Sequence, residues 1–332
     1  MTLEIKTGHG SYPVYIERGA LRRAAELADA EGRVFIVTDS GIPAVWTDCL
    51  RQQFPDADVF VIPQGEGSKN LEVYKELVSD MLDCGISRRD TVIALGGGVA
   101  GDLAGFAAAT YMRGLRFVNI PTTVLSQVDS SIGGKTGVDL EDTKNIIGAF
   151  WQPSAVIIDP DVLSTLPERQ TNAGLAEAVK AGIIRDPDLF AIFESDSFRD
   201  RPEEIIYRAL KVKKDIVEAD ERESGERKLL NFGHTFGHAY ESYYGLGRYL
   251  HGECVAMGMM TVIDDPQLKE RLRAVLEKLG LPTHCDADPD RIMELMRSDK
   301  KADHGVIDLV MADEPGKGYI RRTSLEELRG RL

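Results

Sequence analysis

The sequence predicts an α/β N-terminal domain with a Rossmann-like parallel sheet, followed by a mostly α-helical C-terminal domain. Three observations support this fold class. Strand-like apolar runs alternate with helical segments in the first half of the chain, and the strand signals thin out after Pro160. In addition, 332 residues are enough to form two separate hydrophobic cores. We therefore place a domain boundary between residues 159 and 160.

Five apolar runs have the length and composition of buried parallel strands. They are Arg33–Thr38, Val59–Ile62, Thr91–Leu95, Phe117–Ile120 and Ala155–Ile158. Between the second and third runs, we expect a helix that is capped by Ser68 and ended by Gly85. In the second half, apolar residues recur every three or four positions, for example over 205–217 and 268–279. This spacing predicts amphipathic helices.

The composition argues against several classes of function. The net charge of −14 predicts a surface that repels nucleic acid. No stretch approaches the roughly 18 uninterrupted apolar residues that a membrane span requires. The four cysteines are widely spaced and follow no secretory leader, which is typical of reduced thiols in a cytoplasmic protein. An anionic ligand therefore needs a local cluster of lysine and arginine.

A glycine-rich turn follows the third predicted strand. Gly96, Gly98 and Gly101 form a G-x-G-x-x-G pattern, which lets backbone amides and a helix N-terminus approach a pyrophosphate. The pattern departs from the dinucleotide-binding fingerprint, because no acidic residue follows about 20 residues later at a strand end. The alternative is a glycine turn that has only a packing role. Asp39, just after the first predicted strand, could bind ribose hydroxyls or act as a cap or turn residue.

A second polar segment, Asp129–Gly137, is rich in small residues and contains Lys135. Lys144 and Asn145 follow shortly after it. Two lysines beside flexible backbone amides suit the recognition of phosphate and carboxylate groups. A solvated surface loop is the alternative for either lysine taken alone.

Three of the six histidines lie close together in the sequence. His234 and His238 are four residues apart, hence on one helical face, and His251 follows soon after. A catalytic metal usually takes three protein ligands, and a carboxylate often completes the set. Glu177 stands among small apolar residues with Lys180 three positions later, which suits a metal ligand or an ordinary intrahelical ion pair. Spacing alone leaves open whether His234 acts with His238 or with His251.

These motifs belong to a longer series of phrases along the chain: GGGVAGD, PTT, DSSIGGKTGVD, KNIIGAFWQP, GLAEAVK, LLNFGHTFGHA, HGECVAMGM and SDKKADHG. Together they resemble the 3-dehydroquinate synthase family, within the sugar phosphate cyclases. The resemblance runs from about Gly65 to Gly305, in the family's order and close to its spacing. So many joint matches are more specific than any single glycine or histidine motif.

The resemblance implies an NAD-binding domain over 1–159 and a helical domain over 160–332 that binds substrate and a divalent metal, zinc or cobalt. The implied metal ligands are Glu177, His234 and His251, with His238 as a neighbouring polar or proton-handling group. The implied NAD-binding residues, to which we add Asp39, are Gly65, Glu66, Gly67, Ser68, Lys69, Gly98, Val99, Ala100, Gly101, Asp102, Thr122, Thr123, Lys135, Lys144, Val162, Leu163, Ser164 and Thr165.

The implied substrate is a sugar phosphate, and the residues that the family pattern assigns to it are mostly cationic. They are Arg113, Asp129, Lys135, Lys144, Asn145, Lys180, Lys213, Arg227, Asn231 and one of Lys300 or Lys301. The implied catalytic residues are Lys135, Lys180, Arg227, Asn231 and His238. This set is the local positive cluster that the overall acidity demands.

The resemblance also implies a reaction and an assembly. The reaction converts 3-deoxy-D-arabino-heptulosonate 7-phosphate to 3-dehydroquinate and phosphate, in the shikimate pathway of aromatic amino acid biosynthesis. It combines transient oxidation with NAD, phosphate elimination, re-reduction and intramolecular aldol closure. The implied assembly is a homodimer.

Three other functions remain as alternatives. They are another sugar phosphate cyclase, such as a 2-deoxy-scyllo-inosose synthase, a metal-dependent polyol dehydrogenase and a non-catalytic NAD-binding regulator. Arg227 and Asn231 match the pattern for a substrate carboxylate and favour the synthase over the other cyclases.

Two positions depart from the family pattern. Thr143 stands where the family usually has a glycine before Lys144, so a backbone that needs positive φ would have to differ there. The helical stretch after Met260 is shorter than usual. That shortening bears on helix packing or on a dimer surface more than on the metal ligands.

Overall fold

The computed structural model describes residues 1–8, 10–141, 143–223, 225–245, 247–299 and 306–332. The chain forms two compact units, Met1–Leu166 and Pro167–Leu332. The boundary predicted after residue 159 lies seven residues before this division. The residues between the two positions include a 3-10 turn, Pro160–Thr165, which belongs to the first unit.

A parallel sheet forms the frame of the first unit. The strands of this unit are β1 (Thr2–Thr7), β2 (Gly10–Ile16), β3 (Val34–Asp39), β4 (Asp58–Ile62), β5 (Thr91–Gly96), β6 (Arg116–Pro121), β7 (Lys135–Leu140), β8 (Thr143–Phe150) and β9 (Ala155–Ile158). The sheet has the order β1-β2-β9-β6-β5-β3-β4, and β7 pairs with β8 in a separate hairpin. Within the sheet, β1 and β2 are antiparallel and the other pairs are parallel.

The central strands are apolar along their whole length because both faces of the sheet are covered. Phe35 and Val37 of β3 pack on one face with Val92 of β5. Ile36 and Ile93 of the same two strands pack in a second cluster on the opposite face. The five strands predicted from sequence are therefore confirmed.

The helices of the first unit are α1 (Ala24–Ala28), α2 (Ala44–Arg51), α3 (Leu71–Asp83) and α4 (Gly98–Thr110). The predicted cap of α3 is wrong. The side chain of Asn70, rather than Ser68, accepts a hydrogen bond of 2.9 Å from the amide of Val73. Ser68 lies one step earlier, in a 3-10 turn. The predicted stop at Gly85 is confirmed, since its φ of 69° turns the chain out of the helix.

β1, β2, β7 and β8 are not among the predicted strands. The stretch predicted as a polar, lysine-bearing segment in fact continues into the β7–β8 hairpin. Ile147 and Ala149 of β8 pack against the core, whereas Ile146 and Phe150 of the same strand are exposed. A strand with exposed apolar residues and several polar ones lacks the continuous apolar run that marks the central strands.

A buried carboxylate organises the turn before β5. Asp90 accepts hydrogen bonds from the backbone amides of Ser87, at 2.6 Å, and of Arg33, at 2.8 Å. Burial alone would raise the pKa of Asp90, but these amides hold it below its usual value. The ionised side chain thereby ties the start of β3 to the start of β5.

Helices dominate the second unit, as predicted. They are α5 (Glu168–Ile184), α6 (Pro187–Glu194), α7 (Pro202–Ala219), α8 (His234–Tyr244), α9 (His251–Val262), α10 (Pro266–Lys278), α11 (Pro289–Asp299) and α12 (Leu325–Arg329). A hairpin of β10 (Val306–Ala312) and β11 (Gly318–Ser324), which the sequence does not predict, accompanies them. In the described part of the chain, no helix has both the length and the hydropathy to cross a membrane.

Glycines let three helices of the second unit approach each other closely. A Cβ on Gly252 of α9 would lie 1.8 Å from the carbonyl oxygen of Ala173 in α5. A Cβ on Gly258 of α9 would lie 1.9 Å from the carbonyl oxygen of Gly233, which precedes α8. Both distances are too short for any side chain. Helices α5, α8 and α9 therefore meet backbone to backbone, and these helices carry the predicted metal ligands.

Candidate functional site

One carboxylate and three imidazoles meet in the second unit. Oε1 of Glu177, on α5, lies 3.4 Å from Nε2 of His234 and 3.5 Å from Nε2 of His251. His238, one turn after His234 on α8, has its ring centroid 5.3 Å from that of His234 and 5.8 Å from that of His251. The structure thus brings together the four residues that the sequence singles out.

Hydrogen bonds at Nδ1 orient two of these rings. Nδ1 of His234 lies 3.1 Å from the carbonyl oxygen of Phe232, which can only accept, so this nitrogen carries the proton. Nδ1 of His251 lies 3.4 Å from Oε2 of Glu241. In both rings Nε2 lies on the side of Glu177, where it can become a ligand atom once it carries no proton. This is the arrangement in which a histidine binds a metal while its other nitrogen is held by an acceptor.

The electrostatics of Glu177 depend on its cationic neighbour. The carboxylate is buried, and Nζ of Lys180, itself buried, forms an ion pair with Oε2. Burial would raise the pKa of Glu177, but Lys180 and the two imidazoles hold it well below the usual range. The carboxylate is therefore ionised.

The pKa values of the two imidazoles near Glu177 are shifted in opposite directions. Burial lowers the pKa of His234 to about 3. Burial acts in the same direction on His251, but hydrogen bonds to Glu177 and Glu241 outweigh it and raise the pKa of His251 to about 9. Near neutral pH, His234 is therefore neutral and His251 is protonated beside an ionised carboxylate. A divalent cation that binds here would displace the extra proton of His251.

A divalent metal fits this group. Oε1 of Glu177 faces both imidazoles, whereas Oε2 is paired with Lys180, so Oε1 is the oxygen that can serve as a ligand. Imidazole and carboxylate donors suit zinc and cobalt. Two ligand sets are compatible with the geometry. They are Glu177 with His234 and His251, and the three histidines, whose ligand atoms lie within 4.8 Å of one another.

Glu241 is a site residue that the sequence prediction omits. It lies seven residues after His234 and three after His238 on α8, and so on their helical face. That spacing was a usable signal, because histidine ligands commonly donate their second nitrogen to a carboxylate.

The other predicted residues of the second unit are largely buried cations and their partners. Lys213 lies on α7 and is buried, as is Arg227 in the 3-10 turn Glu226–Asn231. A guanidinium nitrogen of Arg227 donates to the carbonyl oxygen of Glu221. The amide of Asn231 donates to Glu223 at 2.9 Å. Lys300 and Lys301 lie outside the described residues.

Apart from Lys135 and Lys144, which lie in the β7–β8 hairpin, the predicted NAD-binding residues lie at one edge of the sheet in the first unit. Each group follows the carboxyl end of a parallel strand, where nucleotides bind in open α/β sheets. Asp39 ends β3, Gly65–Lys69 follows β4, Gly98–Asp102 follows β5, Thr122 and Thr123 follow β6, and Val162–Thr165 follows β9. Gly98 opens α4, so the G-x-G-x-x-G pattern has the strand-turn-helix context that it requires.

Lys69 links this edge to the β7–β8 hairpin. Its side chain is buried, lies 2.5 Å from Oδ2 of Asp102 and also donates to the side chain of Asn145. Burial would lower the pKa of Lys69, but Asp102 and Glu66 raise it above its usual value. A protonated Lys69 therefore connects a predicted cofactor segment with a predicted substrate residue.

The predicted phosphate-binding residues lie on or near the hairpin. Lys135 begins β7, and Lys144 and Asn145 lie in β8 with exposed side chains. Arg113 is exposed and Asp129 is half-buried. Thr143 is not among the described residues with positive φ, whereas Asn145 has a φ of 55°. The departure at Thr143 therefore causes no strain at that position.

Two family descriptions match the chain. Residues 59–173 match the family described as 3-dehydroquinate synthase N-terminal, and residues 174–302 match the one described as 3-dehydroquinate synthase C-terminal. The chain is 39% identical to a 3-dehydroquinate synthase of Clostridium acetobutylicum, over 98% of this chain and 97% of that protein. It is 43% identical to a 3-dehydroquinate synthase of Nitrosococcus oceani, over 96% of this chain and 95% of that protein.

Two solved structures share the fold over nearly the whole chain. One is a 2-deoxy-scyllo-inosose synthase complexed with carbaglucose-6-phosphate, NAD+ and Co2+, with a TM-score of 0.88 and 25% identity over 100% of this chain and 99% of that one. The other is a 2-epi-5-epi-valiolone synthase from Streptomyces hygroscopicus with NAD+ and Zn2+ bound. It has a TM-score of 0.88 and 26% identity over 98% of this chain and 97% of that one.

Proposed function

Because the chain belongs to the 3-dehydroquinate synthase family, we propose that it converts 3-deoxy-D-arabino-heptulosonate 7-phosphate to 3-dehydroquinate and inorganic phosphate. This reaction is a step of the shikimate pathway. The observation that carries the proposal is the identity of 39% to 43% with 3-dehydroquinate synthases along nearly the full length of both chains. The identity with the two cyclases of other specificity is lower, at 25% and 26%.

The proposed cofactors are NAD and one divalent metal ion, zinc or cobalt. We assign the metal to Glu177, His234 and His251, with His238 beside it, and NAD to the carboxyl edge of the sheet in the first unit. When bound, the metal stabilises negative charge on a substrate oxygen, and NAD takes up a hydride and returns it. Solved cyclases with NAD+ and Co2+ or Zn2+ bound support this choice of cofactors.

The chain's own residues prepare the metal centre in three ways. The carbonyl oxygen of Phe232 keeps the proton of His234 on Nδ1, so that Nε2 is available as a ligand. Glu241 does the same for His251. Lys180 keeps Glu177 ionised and places a positive charge beside the centre. We propose that Lys180 also binds the substrate there.

The proposed substrate is an anion at both ends, with a phosphate and a carboxylate. The protein carries a net charge of −14, so its binding depends on a local group of cations. We assign Lys135 and Lys144 to the phosphate, as point charges beside backbone amides. We assign Arg227 and Asn231 to the carboxylate, because a guanidinium and an amide can donate parallel hydrogen bonds to it. The remaining proposed substrate residues are Arg113, Asp129, Asn145, Lys213 and one of Lys300 or Lys301.

Acid–base steps of the reaction need a group that can exchange a proton near neutral pH. We propose His238 for this role, because it lies next to both His234 and His251 on the same centre.

We also propose that the protein acts as a cytoplasmic homodimer, as the family resemblance implies. The four cysteines are widely spaced along the chain, which is consistent with a reducing compartment. Light scattering on the purified protein tests the dimer, and a monomer at working concentration would contradict it.

Phosphate release distinguishes the proposed reaction from its alternatives. The metal-loaded protein is incubated with NAD and 3-deoxy-D-arabino-heptulosonate 7-phosphate, while free phosphate and absorbance at the NADH band are followed. The expected result is stoichiometric phosphate release without accumulation of NADH, since the hydride returns to the product. Phosphate release from glucose 6-phosphate, but not from 3-deoxy-D-arabino-heptulosonate 7-phosphate, would indicate another cyclase. Net NADH formation from a simple polyol would indicate a dehydrogenase.

A further inference from the structure

One stripe of α5 faces the first turn of α9. Arg169, Ala173 and Glu177 are spaced four residues apart on α5, and so lie along one side of the helix. Arg169 binds Glu253, Ala173 contacts Gly252, and Glu177 lies next to His251. Consecutive residues of α9 thus meet successive turns of α5.

The contact between Arg169 and Glu253 is bidentate. Nε of Arg169 donates to Oε1 of Glu253 at 2.7 Å, and Nη2 donates to Oε2 at 2.8 Å. Nη2 also donates to the carbonyl oxygen of Arg248 at 2.7 Å, in the segment that leads into α9. The guanidinium therefore holds both the first turn of α9 and the chain just before it.

Glu253 in turn fixes the start of α9. Its Oε2 accepts a hydrogen bond of 2.7 Å from the backbone amide of Leu250, the N-cap residue. His251 is the next residue, so its backbone lies between two groups that Glu253 and Arg169 immobilise. Only 6% of Glu253 is exposed, and a buried carboxylate that lost its guanidinium would be poorly compensated.

We propose that Arg169 is a positioning residue of the metal centre, which acts through Glu253 to hold His251 at its distance from Glu177. The positive charge and the two parallel N–H donors of the Arg169 guanidinium fix how α5 aligns with α9. Arg169 does this from a position two turns of α5 before Glu177. The predicted consequence is a change in metal affinity and coordination geometry, beyond any general loss of stability. This inference rests on the proposed metal centre described above.

A second ion pair of the same unit provides a matched control. Nε of Arg271 donates to Oε1 of Glu194 at 2.7 Å, and Nη2 donates to Oε2 at 2.9 Å. The side chain of Arg271 is 46% exposed, compared with 55% for that of Arg169. This pair joins α10 to α6, which carry none of the proposed ligands. It therefore reports what the loss of a bidentate arginine does to the protein at a place away from the proposed ligands.

The test compares the parent protein with Arg169→Met, Arg169→Lys and Arg271→Met. Zn2+ affinity is measured by competition with a chelator, the geometry by the visible spectrum of the Co2+-loaded protein, and the fold by thermal unfolding of the metal-free protein. We expect Arg169→Met to weaken Zn2+ binding about 10- to 100-fold and to alter the Co2+ bands. Arg169→Lys should fall between it and the parent, because lysine keeps the charge but lacks the fork.

The control should keep the affinity and the spectrum of the parent. Parent-like Zn2+ affinity and Co2+ bands in Arg169→Met would overturn the proposal, whatever the change in unfolding temperature. If that variant does not fold, Arg169→Lys decides by the same criterion. A parent protein that binds neither ion overturns the proposed metal centre itself, so the two failures are distinguishable.

Discussion

The carboxylate of Glu241 lies 3.4 Å from Nδ1 of His251, on the opposite side of the ring from the Nε2 atom that lies 3.5 Å from Glu177. The ring of His251 is thus held between two carboxylates that come from different helices. This relationship makes the ligand geometry depend on a residue that does not itself approach the proposed ion.

Replacing Glu241 with glutamine should therefore weaken metal binding. The amide oxygen can still accept a proton from Nδ1, but the negative charge that strengthens the ligand is lost. We expect Zn2+ affinity to fall by about tenfold, as measured by chelator competition. Glu277→Gln, an exposed change on α10, is the control. Equal affinities in the two variants would argue against this role of Glu241.

Removing a proposed ligand should separate the metal site from the cofactor site. Glu177→Ala and His251→Ala should abolish phosphate release and strip the ion, because two ligands do not hold it in competition with water. NAD binding, measured by calorimetry, should remain, since the proposed NAD residues belong to the first unit. Glu168→Ala, at the exposed start of α5, should leave metal content unchanged. Full activity without bound metal would contradict the ligand assignment.

Adding one methyl group at Gly252 should destabilise the protein. In an ordinary helix, the change from glycine to alanine stabilises, but here the Cβ would lie 1.8 Å from the carbonyl oxygen of Ala173. We expect a loss of about 1–3 kcal/mol in the free energy of unfolding, from denaturant titration of the metal-free protein. Gly330→Ala is the control, because its nearest atom lies 3.4 Å away. Equal stabilities would mean that α5 and α9 can move apart without cost.

The contribution of Asp90 should depend on pH. Its pKa is lowered in the folded state, so its stabilising effect is present above the unfolded value of about 3.9 and is lost as the pH falls through the folded value. Asp90→Asn should therefore cost about 1.5–3 kcal/mol at pH 7 and progressively less below pH 4. Urea unfolding of parent and variant between pH 3 and 7 measures this difference. The exposed change Asp83→Asn should have an effect on stability that does not vary with pH in this way. If the loss of stability from Asp90→Asn were the same at every pH, the lowered pKa of Asp90 would be refuted.

Sequence patterns predict the parts of this fold in which burial dictates composition. β3 and β5 are covered on both faces, so their sequences are almost purely apolar and their bounds are predicted to within a residue or two. β8 has one face on the core and one exposed, and it carries Lys144 and Asn145 among its apolar residues. Its pairing with β7 depends on contacts between strands, which a pattern along one segment does not contain.

The candidate site divides in the same way. Residue types and spacing suffice to single out Glu177, His234, His238 and His251 as candidates. They do not reveal Arg169, whose role comes from helices that meet only after folding. They place Glu241 on the helical face of His234 and His238 without showing that it contacts His251. They also leave open whether His234 acts with His238 or with His251, and the set of Glu177, His234 and His251 is what the family resemblance implies.

The proposed ligands come from three helices, of which α5 lies well before the consecutive helices α8 and α9 along the chain, and Gly252 and Gly258 allow these helices to make direct backbone contact. An ion held by all three would behave as a removable cross-link spanning residues 177 to 251. This segment should then resist a protease when the metal is bound and become susceptible when a chelator removes it. The metal-free protein should be cleaved at sites that are protected in the metal-loaded protein.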